Sequence, residues 1–343
     1  MLEKSGWARS VGGAGPYVGL FARTEIRRSE ADRAVAELEI YELPAARGCT
    51  YVVPASDYAL ALKVGQPFAG AEMRVAASLG VTGKEIDTLC DAVVKVLSGA
   101  TMSPDEIRMG TGSASRSLGE AGKKKGVTTT LPVALGRLQS LGEIRRVPVD
   151  GRLDQQRYKY ALWRPNPLTR YKSTQEEAYA QLARKYFQWV GPASHAEFQW
   201  FAGLGVKTEK AAVAGLRLVA ADKDGERLLL EEDLDAFHKF KPLRTPQYAL
   251  VSSLDSIQSH LRLDLSSHAI LDRGIVIGLW EYDVDTQSIA WMTNDGVKDK
   301  KLVEAVRKME EYVRDDLGDA RSFSLDSPKS RALRIAEIRR AGK

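Results

Sequence analysis

The sequence predicts an α+β protein made of tandem winged-helix (helix-turn-helix) modules, a C-terminal β-rich element and terminal helices. Three observations predict it. Between Ser113 and Trp163 a lysine cluster, a short helix and two strand-like runs follow one another. The same order of helices and hairpin returns between Ala178 and Leu230. Beyond Pro246 the pattern changes to short apolar runs separated by Asp- and Gly-containing turns, closed by helices.

At the N-terminus, Gly12-Gly13-Ala14-Gly15-Pro16 reads as a loop. Tyr17, Leu20 and Phe21 share one face of a helix ending at Arg23, and a second helix is predicted from Ser29 to Leu38. Leu43 to Val53 reads as a strand or wing, after which Pro54-Ala55-Ser56-Asp57 opens another helix.

In the central module, Ile86, Leu89, Cys90, Val93, Val94 and Leu97 fall at helical spacing within Gly83 to Leu97. Ser103 can cap the next helix, with Pro104 at its first position and Asp105 and Glu106 near the positive end of its dipole. Thr128, Thr129 and Thr130 can open a third, which tolerates Pro132 in its first turn. Its apolar stripe is Val133, Leu135, Leu138 and Leu141, leaving Arg137 and Gln139 on other faces, and Gly142 stops it. Glu143 to Val149 and Arg157 to Trp163 read as wing strands turned at Asp150-Gly151. Arg164-Pro165-Asn166-Pro167 is the predicted linker.

The third module predicts a helix over Ala178 to Val190, a break at Gly191-Pro192, helices over Ser194 to Gly203 and Lys207 to Leu216, and a hairpin turned at Asp224-Gly225. Strands are then expected at Tyr248 to Ser252, His268 to Leu271, Gly274 to Asp283 and Ser288 to Met292. A helix carries Leu302, Val306, Met309, Val313 and Leu317, and a basic helix or tail runs from Asp326 to Lys343. The predicted domains are a truncated or divergent first winged-helix region (1–80), a central winged helix (81–165), a third winged helix (166–240) and a C-terminal β element with helices and basic tail (241–343).

A chain of 343 residues that is 44% hydrophobic and 28% charged has the composition of a globular protein of several domains. No run approaches the roughly 20 apolar residues of a membrane span, and no signal peptide opens the chain, which predicts no membrane partner and a cytoplasmic location. Cys49 and Cys90 are too few for a disulfide framework, and with four histidines they lack metal-site spacing, so no metal is expected. Gly110-Thr111-Gly112-Ser113 and Gly12-Gly13 lack the context of a phosphate loop, so no nucleotide or other cofactor is expected. Glu231, Glu232, Asp233 and Asp235 read as acids opening a helix, and His195 as a first-turn residue.

Charge distribution is more informative. From Ser113 to Tyr160 ten Lys/Arg face four acids, a surplus of +6 against +5 for the whole chain. Such a surplus suits a polyanion, and on the winged-helix layout the partner is double-stranded DNA, held mostly by its phosphate backbone. The candidate contacts are Lys123, Lys124, Lys125, Thr128, Thr129, Arg137, Arg145, Arg146, Arg157 and Lys159. Pro328 to Lys343 adds six Lys/Arg against one acid, either a solvated surface or a further phosphate contact. Two other readings stand beside this one: an interaction scaffold with solvated lysines, and a winged-helix transcriptional regulator.

The order of landmarks also resembles a family. Gly15-Pro16-Tyr17-Val18-Gly19-Leu20-Phe21-Ala22-Arg23, the stretch Ala46 to Asp57, the stretch Gly191 to Leu204 and the hairpin Leu271 to Trp280 together resemble the tandem winged-helix DNA glycosylases of AlkZ and YcaQ type. The resemblance implies a positively lined molecule wrapping duplex DNA and hydrolysis of the N-glycosidic bond of alkylated bases by a Gln-x-Gln or Gln-x-Asp motif. By the family's spacing that motif falls on Arg9-Ser10-Val11, and the family's frequent Thr and His of Arg-Gly-Thr-x-His fall on Cys49 and Tyr51. The chain begins about where the family's first helix should be ending. The expectation is therefore a DNA-binding member with no assignable catalytic residue and with its chemistry lost or altered; an active glycosylase with changed residues is the alternative.

Overall fold

The computed structural model describes residues 1–342 except 12, 156, 258–266, 297–298 and 323–325, so Gly12 of the predicted loop and Lys343 of the predicted tail lie outside the described residues. A single turn, α1 (Leu2–Ser5), precedes a short strand, β1 (Ala8–Ser10). Helices α2 (Gly15–Thr24) and α3 (Arg28–Ala36) follow, then the hairpin β2 (Ile40–Pro44) and β3 (Thr50–Pro54). The sheet order is β1-β3-β2, antiparallel throughout, and the central strand buries Val52 and Val53 completely. Helices α4 (Tyr58–Gly65) and α5 (Gly70–Ala77) lead out of this unit.

Next come α6 (Gly83–Val96), α7 (Pro104–Thr111), α8 (Gly119–Lys124), α9 (Leu131–Ser140) and the hairpin β4 (Ile144–Pro148) with β5 (Tyr158–Leu162). The Ser103–Glu106 capping box of α7 forms in both directions. Ile86, Leu89, Val93, Ile107, Leu135, Leu138 and Ile144 belong to a core of their own, to which Ala76 of α5 also contributes.

Local expectations change at three points here. The side chain of Thr130, the residue preceding α9, accepts the N–H of Arg116 at 3.2 Å and makes no cap hydrogen bond to the helix. Gln139 is buried while Leu141 is 41% exposed, because α9 is covered on both the α6 and the α5 side. The chain turns at Asp150-Gly151, where the Gly151 N–H reaches the Pro148 carbonyl at 3.3 Å, but this turn does not by itself close the hairpin. Pro148 pairs with Tyr158, and the long connection between them folds back so that Leu153 is fully buried and donates its N–H to Tyr17 Oη at 2.9 Å.

A second helix–hairpin unit comprises α10 (Gln175–Val190), α11 (His195–Ala202), α12 (Val206–Val213), β6 (Leu218–Ala220) and β7 (Leu228–Leu230), followed by α13 (Leu234–Lys239). The chain ends with β8 (Tyr248–Val251), β9 (His268–Asp272), β10 (Ile275–Asp283), β11 (Ser288–Thr293), α14 (Lys300–Tyr312) and α15 (Pro328–Ala341). The four strands form one antiparallel sheet in the order β11-β10-β9-β8, with a left-handed turn at Arg273 and Gly274 as the Asp272-Arg273-Gly274 run predicts.

The first unit, the α10–β7 unit and the C-terminal sheet share one apolar core. Phe21 stacks on Tyr312 at 3.9 Å, Trp7 leans on Trp189 at 5.4 Å, and Arg23 forks onto Asp255 at 2.6 and 2.7 Å. The basic C-terminal helix is largely committed inward: Arg331 holds Asp319, Arg334 holds Glu281 and Asp326, and Arg339 holds Asp283. Lys329 and Arg340 stay exposed. Among the described residues no helix is long and apolar enough to cross a membrane.

Candidate nucleic-acid interface and its cleft

Where the resemblance expects catalytic side chains, the structure has an edge strand. Three residues are too few to announce a strand in sequence, and β1 forms because β3 offers it a partner: Arg9 lies opposite Tyr51 and Ser10 opposite Thr50. Ser10 and Glu42 point to the same face of this sheet from its two outer strands, and Ser10 Oγ donates to Glu42 Oε1 at 2.5 Å. The other oxygen of Glu42 accepts the hydroxyl of Tyr158 at 2.9 Å, from the β4–β5 wing.

That hydrogen bond closes one wall of a cleft of about 470 Å³. Its lining includes Arg9, Ser10, Val11 and Glu42 from the first unit and Arg146, Tyr158 and Tyr160 from the wing. Arg146 lies over the Tyr158 ring at 5.1 Å. Burial, and then the neighbouring Glu42 carboxylate, push the Tyr158 hydroxyl well above its ordinary pKa and keep it a donor at neutral pH. Arg9 sends Nη2 to the sulfur of Cys49 at 3.8 Å, a long and weak contact. The cleft is thus lined by two guanidiniums and one carboxylate whose oxygens both already accept hydroxyl protons.

The ten residues singled out from charge divide by surroundings. Lys124, Thr128, Arg157 and Lys159 are exposed, and Thr129 is half-buried beside Ser117. Lys123 is also exposed and meets Glu120 at 2.7 Å, within the helix that carries it; Lys125 donates to Ser78 Oγ at 2.8 Å. Arg137 meets Asp87 on α6 at 2.7 Å. These pairs lie at the surface, where such contacts hold a side chain weakly and leave it free to exchange partners. Arg145 differs. Its Nη1 donates to Tyr41 Oη at 2.9 Å with the guanidinium 5.6 Å from the Tyr41 ring, so it docks the wing onto the first unit. Tyr41 completes the seam by donating to the Arg146 carbonyl. Arg146 alone of the ten lines the cleft.

Sequence reasoning missed Glu42. The run Tyr41-Glu42-Leu43 carries an acid between apolar residues, a strand alternation that places it toward solvent. Its burial depends on Ser10 and Tyr158, 32 and 116 residues away.

Modules of helices with a hairpin wing, joined around a cleft lined by two arginines, make an α+β architecture of winged-helix type. The family model for AlkZ-like DNA glycosylases matches residues 11–266, and the chain belongs to that family. Among solved structures it is similar to the Streptomyces sahachiroi DNA glycosylase AlkZ, at 17% identity over 94% of this chain and 91% of that one, with a TM-score of 0.68. That likeness shows the fold. No curated protein matches the chain in sequence.

Proposed function

We propose that the protein binds double-stranded DNA chiefly through the phosphate backbone and does not hydrolyse N-glycosidic bonds in the manner of its family. The observation that carries this is Arg9, a lining residue of the cleft at the position where the resemblance expects an amide. Glycosidic cleavage develops positive charge on the sugar, and the catalyst has to stabilise that cation and orient water. A guanidinium cannot accept a proton and opposes a nearby cation, and Val11 can do neither task. Backbone binding needs only the exposed cations of α8 and the wing, Lys123, Lys124, Lys125, Arg157 and Lys159.

Anisotropy titrations of unrelated duplexes over a salt series test the binding reading. Similar affinities on all sequences and a linear fall of log K with log salt are expected. A marked preference for one sequence, or binding indifferent to salt, contradicts it.

Glu42 supports a second reading, an active glycosylase with relocated chemistry. It is a carboxylate lining the cleft near where the motif would stand, and each of its oxygens keeps a lone pair for water. The first reading is preferred because Ser10 and Tyr158 hold both oxygens and two arginines share the space.

A further inference from the structure

We infer that the cleft between the first sheet and the β4–β5 wing is an anion site, which takes a phosphate group between Arg9 and Arg146. The inference rests on the DNA-binding reading and adds to it a ligand group for a specific internal site.

Room comes first. The aromatic recess behind Arg9, walled by Trp7, Tyr51, Trp189, Trp200 and Phe201, offers about 30 Å³, enough for a water. The cleft offers about 470 Å³, enough for a phosphate with its attached sugar. Charge comes second. Several arginines elsewhere in this fold are matched to carboxylates: Arg116 to Glu85, Arg152 to Asp154 and Arg227 to Glu197. Arg9 and Arg146 make no ion pair among the described residues, though the charge of Arg146 reaches the Glu72 carboxylate, and the Nε of each is shielded from solvent with no acceptor. An N–H withdrawn from water without an acceptor is costly, and two such groups lining one cleft call for the same remedy.

Glu42 does not supply that remedy, since its oxygens meet the hydroxyls of Ser10 and Tyr158 and neither Nε has an acceptor. It also cannot cancel the site, because two guanidiniums outnumber one carboxylate. Arg47, stacked on Trp200 at 4.0 Å in the β2–β3 connection, adds positive charge near Gly48 and Cys49 on the same rim. Guanidinium forks match phosphate oxygens in geometry as well as charge, whereas a cationic or apolar ligand would leave both forks unsatisfied.

The phosphate can come from an intact backbone, from a 5′-phosphate at a nick, or from a free nucleotide. The test uses the full chain with four probes: an intact duplex, the same duplex nicked with a 5′-phosphate, the nicked duplex with a 5′-hydroxyl, and deoxyadenosine 5′-monophosphate. Arg9→Gln and Arg146→Gln are expected to weaken at least one phosphate-bearing probe by about tenfold, and Arg307→Gln, on α14 and outside the cleft, by about twofold or less on that probe. Val11→Glu, which brings a carboxylate to the cleft without touching either arginine, should weaken the same probe even if an arginine variant folds poorly. Loss on the 5′-phosphate nick alone identifies a strand end; equal loss on all three duplexes identifies the backbone; loss on the mononucleotide identifies a free ligand. If wild type binds the duplexes and all three cleft variants match it on every probe, the anion site is wrong while DNA binding stands. If wild type binds none of the four probes, both fail.

Discussion

Tyr158, on the β4–β5 wing, donates its hydroxyl to Glu42 of the first unit at 2.9 Å, and Ser10 donates to the other oxygen of the same carboxylate. A buried acid thus fastens two separately packed cores to each other and shapes the cleft between them. Removing one donor leaves an oxygen withdrawn from water without its partner. Tyr158→Phe is expected to destabilise the protein by about 1–3 kcal/mol, and Glu42→Gln to make that substitution less costly, because the charge is gone. Urea unfolding of the two single variants and the double variant measures the coupling. Additive effects would mean that the hydrogen bond contributes nothing.

Arg23 and Asp255 make the comparable link between α2 and the C-terminal element. Asp255 has only 5% of its side chain exposed, so deleting the guanidinium strands a buried charge. Arg23→Ala should cost roughly 3 kcal/mol, and Arg23→Ala with Asp255→Asn less than Arg23→Ala alone. Thermal melting of the three proteins checks the order. An unchanged melting temperature in Arg23→Ala would show that the fork is dispensable.

His268 is fully buried, accepts the Ser253 N–H at Nδ1 and stacks near Trp280. Burial is the largest influence on it and holds its pKa below the ordinary value near 6.5. In that direction the unfolded chain takes up a proton that the folded protein refuses. The contribution to stability is therefore complete above about pH 6.5 and declines as pH falls from there through the folded-state value. Urea midpoints between neutral and mildly acidic pH should fall for wild type and fall less steeply for His268→Gln. Parallel curves would remove His268 as the cause.

Much of this architecture is legible in the sequence. Local chemistry settles where helices begin: Ser103 with Glu106 and Ser194 with Glu197 form the reciprocal caps that their spacing announces. The strands after Pro246 are equally plain from their apolar runs and turn residues. What stays hidden is pairing over long separations. The strand β1 exists because β3 lies beside it, the acid at position 42 is buried because two distant hydroxyls meet it, and Arg145 points into a seam that charge counting cannot see. The tail misleads for the same reason, since its arginines find carboxylates on β10 and in the connection after α14.

On α8 and just beyond it, Lys123, Lys124 and Lys125 form the densest group of exposed cations. Changing all three to Ala should weaken binding about equally on unrelated duplexes and lower the salt slope by roughly 0.9 for each phosphate that is no longer neutralised. Anisotropy over a salt series reads both quantities. A slope equal to that of wild type would remove this loop from the interface.

The central claim, a DNA-binding family member whose cleft has given up sugar-cation chemistry, is tested most directly by base release. A duplex carrying N7-methylguanine is incubated with excess protein under single-turnover conditions, at a concentration where anisotropy shows it bound. The predicted result is release at the spontaneous rate of the free duplex, with no change in Glu42→Gln. Release well above that rate, abolished by Glu42→Gln, would contradict the account and assign the chemistry to Glu42.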